Sequence, residues 1–162
     1  MKKTESMILF WGDEDVFSNF HPSPFAVDGK IFHCSEQYFM YCKAGYFNDA
    51  ATADKIMAET EPINCKKLGR QIKNYDESAW DNVRESFMFA ACYNKFLQNA
   101  ELKKQLLDTQ NRLLVEASPF DKIWGIGLAE DNADAENTAK WLGRNLLGKV
   151  LMEVREKLAI EH

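Results

Sequence analysis

The residues best suited to chemistry are a carboxylate, Glu36, and an amine, Lys43, seven positions further along the chain. Seven residues advance an α-helix by nearly two turns, so both side chains share one face if this segment is helical. A carboxylate and an amine that face one space tune each other's pKa. Aromatic residues crowd this segment, namely Tyr38, Phe39, Tyr41 and Tyr46. The same spacing is typical of an exposed pair of charges worth about 0–1 kcal/mol, so spacing alone leaves both interpretations open.

A second cluster, residues 66–73, has the composition of a phosphate anchor. Lys66, Arg70 and Lys73 surround Gly69, and an arginine binds phosphate oxygens bidentately. A solvated basic face of a helix has the same composition. Arg70, with Lys66 as a helper, is therefore a candidate phosphate contact.

A third cluster is the run 116–127, in which the carboxylates Glu116 and Asp121 precede Trp124 and two nearby glycines. Glycines beside an aromatic residue favour a loop in which the backbone and the indole ring approach a flat ligand closely. The run lacks the GxGxxG pattern of dinucleotide-binding folds. A tryptophan in the hydrophobic core would give the same pattern. The segment Ser18-Asn19-Phe20 is a fourth polar interruption in apolar surroundings.

The composition limits the classes to which the protein can belong. Its 162 residues match one domain, and 46% hydrophobic residues are enough for a substantial core. The formal net charge of -5 argues against a nucleic-acid binder with a generally basic surface, although it allows a small basic pocket. No stretch approaches the roughly 20 apolar residues of a membrane span, and the apolar run 7–11 is too short for a signal-peptide core. We expect a soluble, cytoplasmic protein with no membrane contact.

The cysteine and histidine pattern does not indicate a metal site. None of the four cysteines forms a CxxC pair, and no histidine lies at zinc-finger spacing from them. Free cysteines commonly pack in the core as small apolar residues. We predict buried thiols, no metal ligands and no redox cofactor.

The elements that must position these residues include a small amount of β structure. Residues 8–11 have the pattern of a strand, and residues 113–116 that of a strand or of a buried extended run. Residues 25–27 and 31–33 flank Asp28-Gly29, the signal for a two-residue hairpin.

The remaining segments have helical periodicity. The predicted helices are a first one capped by Ser35 and ending near residue 47, a second from Pro62 to about residue 70, a long one capped by Asp76 or Ser78 and ending near residue 99, a piece over 101–107, and a last one that begins near Trp141 or Asn145. We predict a mainly α fold with a small β element (α+β), forming a single domain over residues 1–162 with its core at about 8–158.

In their order along the chain, these segments resemble one known family. The segments that carry the resemblance are Ser18-Asn19-Phe20, Ser35-Glu36-Gln37-Tyr38 continuing to Lys43-Ala44, Leu68-Gly69-Arg70, Trp80, Lys95-Phe96, Leu114-Val115-Glu116, Asp121, Trp124-Gly125-x-Gly127, Asn145-x-Leu147-Gly148 and Leu151-Met152-x-Val154-Arg155. That succession resembles the NADAR family, also called YbiA-like, whose name abbreviates NAD and ADP-ribose. Each segment alone is weak, but the ordered set is highly specific.

The resemblance implies both a fold and a reaction. YbiA-like proteins are mostly helical single domains. Some hydrolyse the N-glycosidic bond of ribosylaminopyrimidine phosphates, the reactive intermediates of riboflavin biosynthesis, and others remove ADP-ribose from guanine bases in nucleic acid. Both reactions break a bond between ribose C1 and a nitrogen. The resemblance therefore implies an N-glycosidase, and it implies no metal and no redox cofactor.

For that reaction we expect the following roles. Glu36 transfers the proton. Lys43 either attacks C1 of the opened ribose and forms a Schiff base, or acts electrostatically on a phosphate or hydroxyl group. Glu116 is either a second acid–base residue or a partner of Arg155 or Lys95. The expected substrate contacts are Arg70 and Lys66 for a phosphate, Trp124 and Phe20 for stacking on the base, and Asn19, Asp121 and Asn145 for sugar hydroxyls.

Three functions remain open on the sequence. The first is hydrolysis of a small ribosyl phosphate, which the acidic net charge slightly favours. The second is removal of ADP-ribose from a modified guanine in DNA or RNA, which needs little basic surface if a single base is flipped out. The third is a non-catalytic module that binds ADP-ribose or NAD. The complete set of motif residues favours an enzyme, and the oligomeric state stays open.

Overall fold

A computed structural model describes residues 1–161. The helices and strands, in chain order, are β1 (Lys2–Lys3), β2 (Met7–Phe10), β3 (Phe25–Val27), β4 (Lys30–Phe32), α1 (Ser35–Tyr46), α2 (Ala50–Ala58), α3 (Pro62–Gly69), α4 (Glu77–Gln98), α5 (Ala100–Leu107), β5 (Leu113–Glu116) and α6 (Leu146–Glu161), with a short 3-10 turn at Thr138–Lys140 before α6. They form two compact units. One combines residues 1–21 with 100–161 and is called the discontinuous unit; the other, Pro22–Asn99, is called the central unit.

The discontinuous unit is built on a three-stranded sheet in the order β1-β2-β5. β2 pairs antiparallel with β1 and parallel with β5, with Ile8 opposite Leu114 and Phe10 opposite Glu116. All four residues of β2 are buried, as expected for a strand with a neighbour on each side in a small sheet. Helix α6 packs on β5 and buries an apolar stripe whose members are Leu147, Val150, Leu151, Val154 and Leu158.

The junction between β5 and α6 explains the Asn145-x-Leu147-Gly148 motif. Asn145 has a left-handed backbone (φ +53°), and its side-chain amide donates to the Leu114 carbonyl oxygen at 3.0 Å. The same side chain accepts from the Glu116 backbone N–H at 3.0 Å. A Cβ on Gly148 would lie 2.0 Å from the Leu114 oxygen, so only glycine lets α6 approach the strand this closely. This junction fixes the end of β5, and with it the position of Glu116.

The central unit is organised around α1, which contacts α2, α3 and α4. The β3–β4 hairpin turns at Asp28 and Gly29, which both have positive φ angles, as the two-residue turn requires. Its Phe25 and Phe32 rings stack at 5.9 Å between centroids, and Tyr38 of α1 packs edge-on against both. The hairpin therefore braces the first half of α1.

The structure confirms the fold class: the protein is mostly helical with small sheets. The predicted hairpin, the strand at 113–116 and the Asp76 cap of the long helix are confirmed, the last through a bond from the Ala79 N–H at 2.9 Å. Ser35 as the cap of α1 is wrong, because the extended residue before the helix is Cys34 and Ser35 is its first helical residue.

The start of the last helix agrees with one of its two predicted positions. Helix α6 begins directly after Asn145 and not near Trp141, whose backbone is extended and whose indole N–H donates to the Ala135 carbonyl oxygen. Helix α2 was not predicted; Asp49 caps it by accepting from the Thr52 N–H. Within residues 1–161, no helix combines the length and the apolar character that crossing a bilayer requires.

Replacing Gly148 by Ala should lower the free energy of unfolding by about 1–3 kcal/mol, because the added Cβ collides with a backbone oxygen of β5 that cannot rotate away. Gly45→Ala is the matched control: its Cβ has no atom within 4 Å, and the change in a helix stabilises by roughly 0.5–1 kcal/mol. Urea unfolding of both variants measures the difference. Equal stabilities would contradict the close contact between α6 and β5.

Candidate active site

Glu36 and Lys43 both lie on α1, Glu36 in its first turn and Lys43 in its last. The helix forms as the periodicity predicts, and three helices packed against it bury much of its surface. Glu36 is 6% exposed and Lys43 is half-buried. The two side chains interact electrostatically, since the Glu36 carboxylate favours the charged form of Lys43. The alternative of two charges extended into open water is excluded for this pair.

The Lys43 amine is held by a carbonyl group and an aromatic ring. Its Nζ donates to the Gly69 carbonyl oxygen at 3.0 Å and lies 4.5 Å from the centre of the Tyr75 ring. Among the described residues, no carboxylate oxygen comes within 4.0 Å of this nitrogen. Lys43 is therefore partly desolvated without being locked in an ion pair.

Close packing of α3 against α1 creates the Lys43 contact. A Cβ on Gly69 would lie 2.1 Å from Met40 Sδ, so the glycine lets the end of α3 rest directly on α1. Met40 and Lys43 are three residues apart and hence on the same face of α1. Gly69 thus makes two contacts with α1: the Met40 thioether occupies the space that a side chain would need, and the Gly69 carbonyl oxygen accepts from the Lys43 amine. These contacts account for the glycine of the Leu68-Gly69-Arg70 motif.

The surroundings lower the pKa of Lys43 below that of an ordinary lysine. Burial is the largest cause, and the guanidinium groups of Arg84 and Arg70 act in the same direction. The carboxylates of Glu36 and Glu77 oppose them. The balance favours the uncharged amine more than water does, which is the form that a nucleophilic lysine needs.

The aromatic neighbours of Lys43 differ from those suggested by the sequence. Tyr38 and Tyr41 pack on Phe32 of the hairpin. The ring beside the amine is Tyr75, 32 positions away in sequence and in the loop before α4, so no helical spacing on α1 could have found it. Phe39 and Tyr46 do lie on the same face of α1 as Lys43, and both contact Trp80.

Sequence reasoning also missed Glu77 and Arg84 of α4. The Tyr75 hydroxyl donates to Glu77 Oε2, and Arg84 Nη2 donates to Glu77 Oε1 at 2.6 Å. Arg84 is 3% exposed, which is unusual for an arginine on an amphipathic helix. Its position two turns after Glu77 was the one signal available, because that spacing places both on the same face of α4.

The candidate phosphate contacts lie at the end of α3. Arg70 is the C-cap residue of this helix and is exposed, whereas Lys66 is half-buried in its last turn. No carboxylate among residues 1–161 forms an ion pair with Arg70. Since Arg70 is close enough to affect the pKa of Lys43, a phosphate on its guanidinium would lie near the amine.

Two candidate residues of the discontinuous unit, Glu116 and Asn145, lie at the end of β5. Glu116 is the last residue of the strand and is half-buried, opposite Phe10 in the sheet. Its N–H and C=O are both bonded, to Asn145 Oδ1 and to the Ile126 N–H respectively. Arg155 directs its guanidinium to Thr109 Oγ1 and the Arg112 carbonyl oxygen, so the interpretation of Arg155 as the partner of Glu116 is not supported.

Asp121 and Trp124 belong to one tightly bonded loop. Asp121 Oδ1 accepts from the N–H groups of Ile123 and Trp124, at 2.9 and 2.8 Å. A Cβ on Gly125 would lie 2.9 Å from the carbonyl oxygens of both Glu116 and Asp121. The loop therefore needs this glycine to close on the strand, and it holds Trp124 half-buried. One carboxylate oxygen of Asp121 is used within the loop.

The remaining candidates differ in their surroundings. Asn19 is 8% exposed, and the Phe20 N–H donates to Ser18 Oγ at 3.1 Å, so this segment is an ordered turn. The side-chain amide of Asn145 is engaged by the β5 backbone, which makes it a structural residue of the junction; the sugar contact expected of it gains no support from these bonds. The other predicted substrate contacts stay predictions.

Within the described part of the chain, no three His, Cys, Asp or Glu side chains are grouped as ligands of a metal ion. The four cysteines are free thiols, and three of them, Cys34, Cys65 and Cys92, are buried. Burial raises the pKa of Cys34 and Cys42 to about 11, so neither is a thiolate near neutral pH.

The fold and these residues define a NADAR-domain protein. The NADAR domain model matches residues 9–159, nearly the whole chain, and the protein belongs to this family. It is 42% identical over 166 residues to N-glycosidase R617 of Acanthamoeba polyphaga mimivirus, covering 96% of this chain and 98% of the relative. It is 41% identical over 172 residues to the protein irg-1 of Caenorhabditis elegans, covering 96% and 81%.

A bacterial relative has a solved structure. N-glycosidase YbiA of Escherichia coli is 36% identical over 160 residues, with 97% of this chain and 91% of YbiA covered. The NMR structure of E. coli YbiA superimposes with a TM-score of 0.80 at 35% identity, covering 99% of this chain and 89% of that structure. The YbiA-like fold predicted from the sequence is confirmed.

The Lys43 amine should lose its proton at a lower pH in the folded protein than in the urea-unfolded chain, because burial and two nearby guanidinium groups disfavour the ammonium form. Reductive 13C-methylation of lysines followed by an NMR pH titration measures this, with Lys43→Arg to assign the signal. A folded-state midpoint equal to or above the unfolded one would contradict the described environment.

Proposed function

We propose that this protein is an N-glycosidase that hydrolyses the bond between ribose C1 and an amine nitrogen in a phosphate-bearing, nucleotide-like substrate. Membership of the NADAR family supports this, as do the names of the mimivirus and E. coli relatives, both called N-glycosidases. The observation that carries the proposal is a partly desolvated lysine amine on the same helix, α1, as a buried glutamate whose charge acts on its pKa. A ribosylaminopyrimidine phosphate of the riboflavin pathway is the substrate that we favour.

The proposed reaction begins with opening of the sugar. A proton is transferred to the ring oxygen, the bond from that oxygen to C1 breaks, and an imine joins C1 to the nitrogen of the base. The uncharged Lys43 amine adds to C1. The base nitrogen then receives a proton and leaves with the electron pair of its bond to C1, which leaves an imine between C1 and Lys43.

Water completes the reaction. It adds to C1 of the Lys43 imine, the lysine nitrogen leaves with the electron pair of the C1–N bond, and an open-chain ribosyl phosphate is released. The sum is one substrate and one water converted to a free amine base and a sugar phosphate. Glu36 is the group proposed to carry protons between the ring oxygen, the base nitrogen and water, since it lies on the same face of the helix as the amine.

A purely electrostatic role for Lys43 remains the alternative within this proposal. In that case the C1–N bond breaks with oxocarbenium character, water attacks C1 directly, and the ammonium stabilises a phosphate or hydroxyl group. The lowered pKa of Lys43 favours the nucleophilic role, because an electrostatic role is served better by a lysine that stays charged. Arg70, exposed at the end of α3, is the proposed phosphate contact in both cases.

The decisive assay offers the purified protein a ribosylaminopyrimidine phosphate and, separately, a guanine oligonucleotide carrying ADP-ribose, and measures the released base and sugar. We expect turnover of the small ribosylamine, and Glu36→Gln should lower kcat by about 100-fold or more, the usual contribution of a proton-transfer residue. Glu61→Gln is the matched control, since Glu61 is exposed at the start of α3 and caps nothing with its side chain.

The outcomes of that assay separate the candidate functions. Release from the oligonucleotide alone would replace the proposed substrate by ADP-ribosylated guanine. Tight binding of ADP-ribose with neither product released would show a binding module instead of an enzyme. A Glu36→Gln enzyme with normal kcat and an unchanged pH profile would remove Glu36 from the mechanism.

The Schiff base predicts a covalent adduct. Adding borohydride during turnover should reduce the imine and attach the sugar phosphate to Lys43, which mass spectrometry of the Lys43 peptide detects. Lys43→Arg keeps a positive charge but cannot form the imine, so it should lose both the adduct and most of its turnover; Lys55→Arg, an exposed site on α2, should lose neither. An active Lys43→Arg enzyme without any adduct would leave only the electrostatic role.

A further inference from the structure

A chain of contacts extends from Lys43 to a buried arginine that the proposed mechanism does not use. Lys43 Nζ lies over the Tyr75 ring at 4.5 Å, and the Tyr75 hydroxyl donates to Glu77 Oε2. The other oxygen of Glu77 accepts from Arg84 Nη2 at 2.6 Å. Arg84 Nε lies 3.5 Å from Asp81 Oδ1. The ring beside the amine is thus anchored to a guanidinium on α4 through one carboxylate.

The side chains in this series of contacts differ in their burial. The Arg84 side chain is 3% exposed, whereas those of Glu77 and Asp81 are 62% and 43% exposed. A surface ion pair needs no buried partner, and removing an arginine from water is costly unless its charge is compensated. Here the cation lies on the inner side and its two carboxylates lie on the outer side. Arg84 therefore projects positive charge into the interior of the central unit, where α4 packs against α1.

We propose that Arg84 is a positioning residue for Lys43: through Glu77 it fixes the Tyr75 ring that supports the amine, and its buried guanidinium keeps positive charge on the inner side of α4. Arg84 touches no reacting atom in this proposal. It acts on the orientation and the protonation of the residue that does.

The charges around Lys43 determine the sign of the effect. Glu36 of α1 and Glu77 of α4 favour the ammonium form, while Arg70 at the end of α3 and Arg84 of α4 disfavour it. The Tyr75 ring also attracts a cation. Burial is the largest influence and favours the uncharged amine. Removing Arg84 takes away the positive charge of α4 that counteracts the two carboxylates and the Tyr75 ring. The ammonium form of Lys43 then becomes more stable, and fewer molecules hold a nucleophilic amine at neutral pH.

The test uses variants with opposite expected effects, measured by the NMR titration of Lys43. Arg84→Gln should move the midpoint to higher pH by about one unit, as expected for loss of one nearby charge. Arg84→Lys, which restores the charge, should stay closer to the wild-type midpoint. Glu77→Gln should move the midpoint to lower pH, because it removes a carboxylate that favours the ammonium; this side chain is mostly exposed, so the variant remains testable if Arg84→Gln does not fold.

A purely structural role for Arg84 gives a different pattern. It would lower thermal stability without moving the titration of Lys43. Any of three results would overturn the proposal. The first is an unchanged Lys43 midpoint in Glu77→Gln and in any folded Arg84→Gln protein, and the second is a shift of the same sign in both variants. The third is an Arg84→Lys midpoint that is displaced as far as that of Arg84→Gln. Lys55→Gln is the control for loss of a positive charge on an exposed helix of the same unit, and its Lys43 midpoint should match the wild type.

This inference rests on the proposed function only in taking Lys43 as the reacting amine, and the two can fail separately. Absence of turnover on every substrate would defeat the proposed function, while the titration would still decide the role of Arg84. Where turnover is measured, the acidic limb of the kcat–pH profile should move in the same direction as the Lys43 midpoint in each variant, up for Arg84→Gln and down for Glu77→Gln. Movement in opposite directions would overturn the link between Arg84 and the reaction.

Discussion

The chemistry proposed for the central unit depends on one half-buried amine, that of Lys43, which has no ion pair among the described residues. Lys43 is held by the Gly69 carbonyl oxygen and the Tyr75 ring, and both leave its protonation adjustable. A carboxylate in direct contact would stabilise the ammonium and make the lysine an ordinary cation. Burial works in the other direction and is the largest influence on its pKa. The chemistry proposed for this residue follows from that imbalance.

Several features of the sequence become intelligible as conditions for that contact. The glycine at position 69 lets α3 reach α1, where a side chain would meet Met40 at 2.1 Å. The aromatic residues of α1 divide between two tasks: Tyr38 and Tyr41 join the helix to the hairpin, while Phe39 joins it to Trp80 of α4. Because α1 is packed against the hairpin on one side and α4 on the other, it can hold the Lys43 amine and the Glu36 carboxylate at a fixed spacing. A fixed spacing of this kind is the preorganisation that catalysis requires.

Prediction from the sequence succeeded where the physical cause is local. The Asp-Gly turn, the Asp76 cap and the periodicity of α1 depend on residues a few positions apart, and the structure confirms them. Tyr75, Glu77 and Arg84 were missed because their meaning depends on how α4 packs against α1, a long-range fact without a spacing signature. The Ser35 cap failed because serine can be the first residue of a helix as well as its cap, and only the extended backbone of Cys34 decides.

The same cations serve two requirements that are usually separate. A phosphate-bearing substrate needs positive charge to be retained by a protein whose formal net charge is -5. A nucleophilic lysine needs positive charge nearby to release its own proton. Arg70 and Arg84 both lower the pKa of Lys43, and Arg70 is also exposed at the end of α3. A phosphate bound to Arg70 would partly neutralise it and thereby weaken its effect on the amine. A buried cation such as Arg84, whose ion-pair partners are other side chains of α4, would keep that effect when the substrate is bound.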